Sequence, residues 1–123
     1  MIETTQLTGR RVLLVEDEAM IAMLLEDMLS DLGCHVLGPA YGLSQALQLA
    51  KEHEVIDVAI LDVNLAGQPV FAVADILRDR RVPLIFSTGY GGGGLRKVDE
   101  GAPVLGKPFH LDDLTLALRQ ALA

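Results

Sequence analysis

The feature that most constrains this chain is a regular alternation of short apolar runs with longer amphipathic stretches. The first run, residues 11–15 (RVLLV), is too apolar for a strand with one solvent face and suits a strand buried on both faces. Residues 19–32 place apolar side chains three and four positions apart, which is the spacing of one helical face, and Gly33 is suited to end that helix. The pattern therefore predicts a β-strand followed by an α-helix.

The same cycle repeats along the rest of the chain. Further strands are predicted to begin at 36–37 and to occupy 58–61, 84–86 and 104–105. Further helices are predicted over 43–50, from Pro69 in a first turn through Leu77, and over 111–122. Four strand-then-helix units are clear, and a fifth lacks a clear helix.

The stretch between the fourth and fifth predicted strands is unusually rich in glycine. Seven of the chain's twelve glycines lie between positions 89 and 106, four of them consecutively at 91–94. Glycine is a poor helix former because it loses the most backbone freedom on ordering. We therefore expect any helix in this stretch to be short or absent.

Apolar strands that alternate with amphipathic helices predict an α/β fold with a parallel sheet covered on both faces and joined by right-handed crossovers. Five strands in 123 residues favour the doubly wound, flavodoxin-like order 2-1-3-4-5. We expect one domain over 1–123, with its core at about 11–122. In this topology the functional crevice lies at the carboxyl ends of the first and third strands.

Composition excludes several classes of function. A net charge of −7 argues against binding to nucleic acid or to an anionic membrane surface. No uncharged apolar run reaches the roughly 18 residues of a membrane span, and the first residues lack the apolar region of a secretory signal. The single cysteine, Cys34, is expected to be a buried structural thiol, which fits a reducing cytoplasm.

Acidic side chains stand at the carboxyl ends of the two strands predicted to be neighbours. Glu16 and Asp17 follow the first strand, and Asp62 ends the third. Carboxylates brought this close repel one another, so a divalent cation would stabilise them, and oxygen-only ligands favour Mg²⁺. Thr88 ends the fourth strand and Lys107 follows the fifth. Together these groups could hold a phosphoryl group in line with a nucleophile.

Four short motifs occur in order at successive strand ends: VLLVEDE, AILDVN, FSTG and GKPF. In this order and spacing they resemble the receiver domain of two-component response regulators. The resemblance covers residues 11–122, nearly the whole chain. The FSTG motif and the glycines after it also resemble the alphaproteobacterial single-domain subclass named for a Phe-Ala-Thr-Gly motif, with Ser87 in place of the alanine.

The resemblance implies a role for each acidic position. Asp62 corresponds to the aspartate that accepts the phosphoryl group. Asp17 corresponds to the carboxylate that binds Mg²⁺ (or Mn²⁺) directly, and Glu16, where Asp is more usual, to the acid that reaches the ion through water. Asn64 would supply its backbone carbonyl as a further metal ligand.

It also implies roles for groups around the acceptor. Thr88 corresponds to the switch hydroxyl that turns toward the phosphoryl oxygens, and Lys107 to the ammonium that pairs with them. The bond between Lys107 and Pro108 is expected to be cis. Asn64 and Tyr90 occupy positions that tune the rate of dephosphorylation. Val104 replaces an aromatic switch residue, so that side-chain movement is not expected here.

The implied function is a phosphorelay receiver and not a turnover enzyme. Its partner would be a histidine kinase or a phosphotransfer protein, and its output would be protein contact or draining of phosphoryl groups, because no output domain is expected after residue 123. The oligomeric state stays open. Two alternatives remain: a pseudo-receiver that only binds partners, and an aspartate-nucleophile phosphohydrolase. The latter usually carries a second carboxylate two residues after the nucleophile, where this chain has Asn64.

Overall fold

The protein is an α/β fold with one parallel sheet between two pairs of helices. A computed structural model describes residues 6–89 and 94–123. The strands of the main sheet are β1 (Arg11–Val15), β2 (His35–Ala40), β3 (Val58–Asp62), β6 (Leu84–Thr88) and β7 (Val104–Gly106). The helices are α1 (Ala19–Asp31), α2 (Leu43–Glu52), α3 (Phe71–Asp79) and α4 (Leu111–Leu122).

The five strands lie in the order β2-β1-β3-β6-β7, and every neighbouring pair is parallel. This is the predicted order 2-1-3-4-5, counted over the strands of the main sheet. Val15 is paired with Leu61, so the residues that follow them, at 16 and 62, emerge side by side at the carboxyl edge. The register of the sheet therefore brings the acidic residues of β1 and β3 together.

Each face of the sheet packs against two helices, as the uniformly apolar strands predict. Leu13 and Val15 lie in a cluster that includes buried side chains of α2 and α3. Val12 and Leu14, which alternate with them along β1, lie in a second cluster with buried side chains of α1 and α4. A strand buried on both faces has no room for polar side chains within it, which leaves polar chemistry to the strand ends.

The predicted start of α3 at Pro69 is wrong. Pro69 lies in a two-residue strand, β5 (Gln68–Pro69), which pairs antiparallel with β4 (Asn64–Leu65), and α3 begins only at Phe71. The two residues between these strands have positive φ angles, and together the segment forms a β-hairpin at the carboxyl edge of the sheet. The pairing of β4 with β5 therefore outweighs the tendency of Pro69 to begin a helix.

The described part of the glycine-rich stretch contains a single 3-10 turn, Lys97–Asp99, which agrees with the expectation of a short or absent helix there. Residues 90–93, and with them Tyr90 and three of the four consecutive glycines, lie outside the described residues. Across the described ranges, none of the helices has the length and apolar character needed to span a membrane.

An ion-pair cluster fastens the end of this stretch to α3. Asp99 is fully buried and pairs with the guanidinium groups of Arg78 and Arg96, the latter through Nε at 2.9 Å. Arg96 also contacts Asp75 at 2.8 Å and lies over the ring of Phe71, 4.5 Å from its centroid. Arg78 and Arg96 therefore approach the buried Asp99 carboxylate from two sides.

We expect Asp99→Ala to lower the free energy of unfolding by about 2 to 4 kcal/mol, because two arginines then lose a common buried partner. Urea denaturation measures this change. Glu100→Ala is the matched control, since Glu100 is the exposed neighbouring acid, and it should change stability by less than about 0.5 kcal/mol. Equal effects of the two substitutions would contradict a stabilising role for the cluster.

Candidate functional site

The carboxyl edge of the sheet encloses a cavity of about 320 Å³. Residues from three strand ends, the β4–β5 hairpin and the segment after β7 line it, among them Asp17, Asp62, Asn64, Thr88 and Lys107. This is the crevice position predicted from the strand order. Five of the residues expected to form the site therefore meet in one cavity.

Three carboxylates converge at this edge. Glu16, Asp17 and Asp62 each present one oxygen, and the three oxygens lie within 4.8 Å of one another. Glu16 and Asp62 are buried, with 0% and 5% of their surface exposed, because each continues or ends a strand covered on both faces. Asp17 is half-buried at the mouth of the cavity.

Lys107 is the cation that faces this cluster. Its Nζ lies 2.9 Å from Glu16 Oε1 and donates a hydrogen bond to Asp62 Oδ2 at 3.2 Å. The Lys107 backbone N–H donates to the Thr88 carbonyl at 3.0 Å, and the Lys107–Pro108 peptide bond is cis, as the resemblance implies. The lysine therefore links the ends of β6 and β7 to the acidic residues of β1 and β3.

Burial and repulsion change the proton affinities of the cluster. Burial, close side-chain contact with Asp17 and Glu16 and the negative charge of Glu16 raise the pKa of Asp62 to about 8, against the opposing effect of Lys107. Burial alone would raise the pKa of Asp17, but its close contacts with the side chains of Asp62 and Glu16 and the hydrogen bond from the Ala66 N–H lower it. Burial opposes the charged form of Lys107, yet the Glu16 and Asp62 carboxylates raise its pKa.

The arrangement fits a hard divalent cation. Three carboxylates facing one ammonium leave two negative charges uncompensated when all are ionised. Asp17 Oδ1 is buried and finds no hydrogen-bond donor among the described residues. A buried carboxylate oxygen without a donor is costly, and a cation bound beside it would remove that cost. The all-oxygen donor set is the kind that Mg²⁺ prefers.

The remaining predicted residues occupy distinct places. Thr88 is buried at the end of β6 and lines the cavity, and the exposed Asn64 lines its rim. The Asn64 N–H donates to Asp62 Oδ1 at 3.2 Å, while its side-chain carbonyl accepts from the Gly67 N–H at 2.9 Å. Val104 lies on β7, is 40% exposed and lines a different cavity, beside α4.

The β4–β5 hairpin takes part in the site, which the sequence pattern does not predict. The Ala66 N–H donates to Asp17 Oδ2 at 3.1 Å, so the hairpin contacts the acidic end of β1. The signal available was the Ala66-Gly67 pair, a small residue and a glycine directly before Gln68 and Pro69. Its meaning depends on β4 pairing with β5, which periodicity does not reveal over two-residue strands.

The family is shown by comparison with known proteins. The family model for the response regulator receiver domain matches residues 12–119. The chain is 34% identical over 114 residues to the phyllosphere-induced regulator PhyR of Methylorubrum extorquens, covering 90% of this chain and 43% of that protein. It is 36% identical over 118 residues to the transcriptional regulatory protein PdtaR of Mycobacterium tuberculosis, covering 93% and 57%.

Solved structures of receiver proteins also resemble this chain. SdrG from Sphingomonas melonis Fr1 superposes with a TM-score of 0.83 at 36% identity, over 95% of this chain and 98% of that one. The receiver domain of the sensor histidine kinase PA1611 from Pseudomonas aeruginosa, solved with a magnesium ion coordinated in its active-site cleft, gives 0.78 at 26% identity over 94% and 98%.

This chain therefore belongs to the receiver domain family of two-component response regulators. It spans about half the length of the curated relatives that it matches, 43% of PhyR and 57% of PdtaR.

We expect Asp62→Asn to stabilise the protein when a chelator keeps divalent cations away. A folded-state pKa of about 8, above the ordinary 3.8, means that the folded wild type binds more protons than the unfolded chain between these values. Protonated Asp62 therefore contributes to the stability of the wild type at low pH, and this contribution is lost as the pH rises toward 8. The increase in Tm of the variant should grow over the same range.

Thermal unfolding at several pH values with EDTA measures this difference. Asp27→Asn, which removes an exposed carboxylate in α1, is the control and should leave Tm nearly unchanged. An Asp62→Asn variant less stable than wild type at pH 8 would contradict the electrostatic account of the cluster.

Proposed function

We propose that this receiver accepts a phosphoryl group on Asp62 from a phosphohistidine of a histidine kinase or phosphotransfer protein. The observation that carries the proposal is the contact between Lys107 Nζ and Asp62 Oδ2 at 3.2 Å, inside a cavity with two further carboxylates. A nucleophilic carboxylate, a facing ammonium and an acidic cation-binding cluster are the groups that phosphoryl transfer requires.

In the proposed reaction a carboxylate oxygen of Asp62 forms a bond to phosphorus as the bond from phosphorus to the histidine nitrogen breaks. The bonding pair returns to the histidine ring, and Asp62 becomes an aspartyl phosphate. The Asn64 N–H holds Asp62 Oδ1 at 3.2 Å and Lys107 holds Oδ2, so the carboxylate is oriented before the donor arrives. Lys107 also offsets negative charge on the transferred group.

The proposed cofactor is Mg²⁺, held by Asp17, Asp62, the backbone carbonyl of Asn64 and, through water, Glu16. When bound, it would supply positive charge that favours ionised Asp62 and offsets the phosphoryl charge. Each of the three carboxylates presents one oxygen within 4.8 Å of the others, close enough to hold one ion directly or through water.

The proposed output is a change of surface and not turnover of a substrate. Phosphorylation adds about 1.5 to 2 negative charges beside Thr88, at the end of β6. Thr88 lies next to Lys107 through the backbone hydrogen bond from the Lys107 N–H, and β6 leads directly into the glycine-rich stretch. New phosphoryl oxygens can therefore act on β6 and β7 together, and a protein partner would bind the changed surface.

The proposed setting for the phosphoryl transfer is the reducing cytoplasm, which fits the buried free thiol of Cys34.

Incubation with acetyl phosphate and Mg²⁺ should give a phosphoryl-sized gain in intact mass. Asp62→Asn should abolish the gain, since it removes the nucleophile and keeps the shape of the side chain. Asp27→Asn should retain it. A wild type that gains no mass from acetyl phosphate or from phosphorylated histidine kinases would contradict the proposal and favour a pseudo-receiver. Continuous release of phosphate from small phosphoesters would favour a phosphohydrolase.

Lys107→Ala should slow phosphorylation by roughly 100-fold, the usual effect of losing one preorganised group that stabilises transition-state charge. The time course of the mass gain measures the rate. Lys51→Ala, which removes an exposed lysine on α2, should leave the rate within about twofold. Circular dichroism confirms that both variants are folded, and equal rates for Lys107→Ala and wild type would exclude a direct role for the ammonium.

A further inference from the structure

We propose that the β4–β5 hairpin is a positioning element for the cation site, with the backbone N–H of Ala66 orienting the carboxylate of Asp17. This inference rests on the proposed function and deepens it. It assigns roles to Ala66 and Gly67, two residues that present no side-chain ligand of their own.

The first support is that the two oxygens of Asp17 have different surroundings. Oδ2 accepts a hydrogen bond from the Ala66 N–H at 3.1 Å, across 49 residues of sequence. Oδ1 is buried, finds no hydrogen-bond donor among the described residues and belongs to a side chain grouped with Glu16 and Asp62. A carboxylate held by one oxygen has a restricted side-chain orientation, so its other oxygen is kept available for a cation.

The second support is the conformation of the turn. Ala66 has a φ of 52° and Gly67 a φ of 84°, both in the left-handed region, which is the backbone that matches a two-residue turn to the twist of a hairpin. The Gly67 N–H closes the turn on the Asn64 side chain at 2.9 Å, and the buried Leu65 anchors it to the core. An alanine at φ of 52° is strained, and strain of this kind is retained where surrounding contacts fix the chain.

The third support is that the hairpin connects both acidic strand ends. It begins at Asn64, whose N–H donates to Asp62 Oδ1 at 3.2 Å, and its turn reaches Asp17. The sheet register brings β1 and β3 together, but Asp17 lies two residues beyond the end of β1, where ladder hydrogen bonds no longer fix it. The hairpin supplies the constraint that the sheet does not.

Gly67→Ala tests the inference, because it disfavours the turn without replacing a residue proposed to bind the metal. A Cβ at position 67 meets nothing within 4 Å, so the substitution acts only through the positive φ. Gly9→Ala is a closely matched control: Gly9 has a φ of 80°, also meets nothing within 4 Å, and precedes β1 at the opposite edge of the sheet. Both variants should lose similar stability in EDTA.

The measurement is a titration with MgCl₂ followed by the chemical shifts of backbone amides, at a temperature where all variants are folded. We expect Gly67→Ala to weaken Mg²⁺ binding roughly three- to tenfold, less than the roughly 10- to 100-fold effect of removing a group that supports a metal ligand, because the Asp17 contact is exposed. Gly9→Ala should bind as wild type.

Phosphorylation by acetyl phosphate gives a second readout. At saturating Mg²⁺, Gly67→Ala should reach the wild-type extent of phosphorylation, whereas at limiting Mg²⁺ it should lag behind Gly9→Ala. Equal Mg²⁺ affinities for Gly67→Ala and Gly9→Ala would overturn the inference and leave the proposed function intact. A wild type that binds no Mg²⁺ would overturn both, since there would be no cation site for the hairpin to shape.

Discussion

The interaction on which this site depends is the repulsion among three carboxylates held against one lysine at the carboxyl edge of the sheet. Glu16, Asp17 and Asp62 come within 4.8 Å of one another because parallel strands with fixed register end together. Lys107 offsets part of the charge, while burial and then the neighbouring carboxylates raise the pKa of Asp62 to about 8. Such an unbalanced acidic cluster has the charge and the oxygen ligands that a divalent cation requires.

The rest of the fold serves to hold that cluster in place. A sheet buried on both faces fixes β1 and β3, and the order of the strands places Thr88 and Lys107 at the same edge. Two local devices act beyond the sheet: the hairpin that contacts Asp17, and the Arg–Asp cluster that joins the end of the glycine-rich stretch to α3. The hairpin lies in a connecting segment, and the Arg–Asp cluster joins another connecting segment to a helix, so both extend the rigid scaffold into its loops.

Most of the fold and the site could be predicted from local pattern. The run at 11–15, the spacing of apolar residues in α1 and the acidic residues after β1 and β3 led to the strand order and the position of the cavity, and the structure has both. The predicted start of α3 at Pro69 is wrong. Proline favours the first turn of a helix, but the pairing of β4 with β5 holds Pro69 in a strand. Val104, which stands where the resemblance implies an aromatic switch residue, lies away from the cavity on an exposed edge strand.

The sequence by itself determined which residues carry charge and on which strand ends they stand, since burial on two faces confines polar groups to those ends. Only the tertiary structure decided which atoms meet. The contact between Lys107 and Asp62 joins residues 45 positions apart, and that between Ala66 and Asp17 joins residues 49 apart. Such contacts depend on crossover geometry and on a two-residue turn with positive φ angles, neither of which leaves a periodic signal in the sequence.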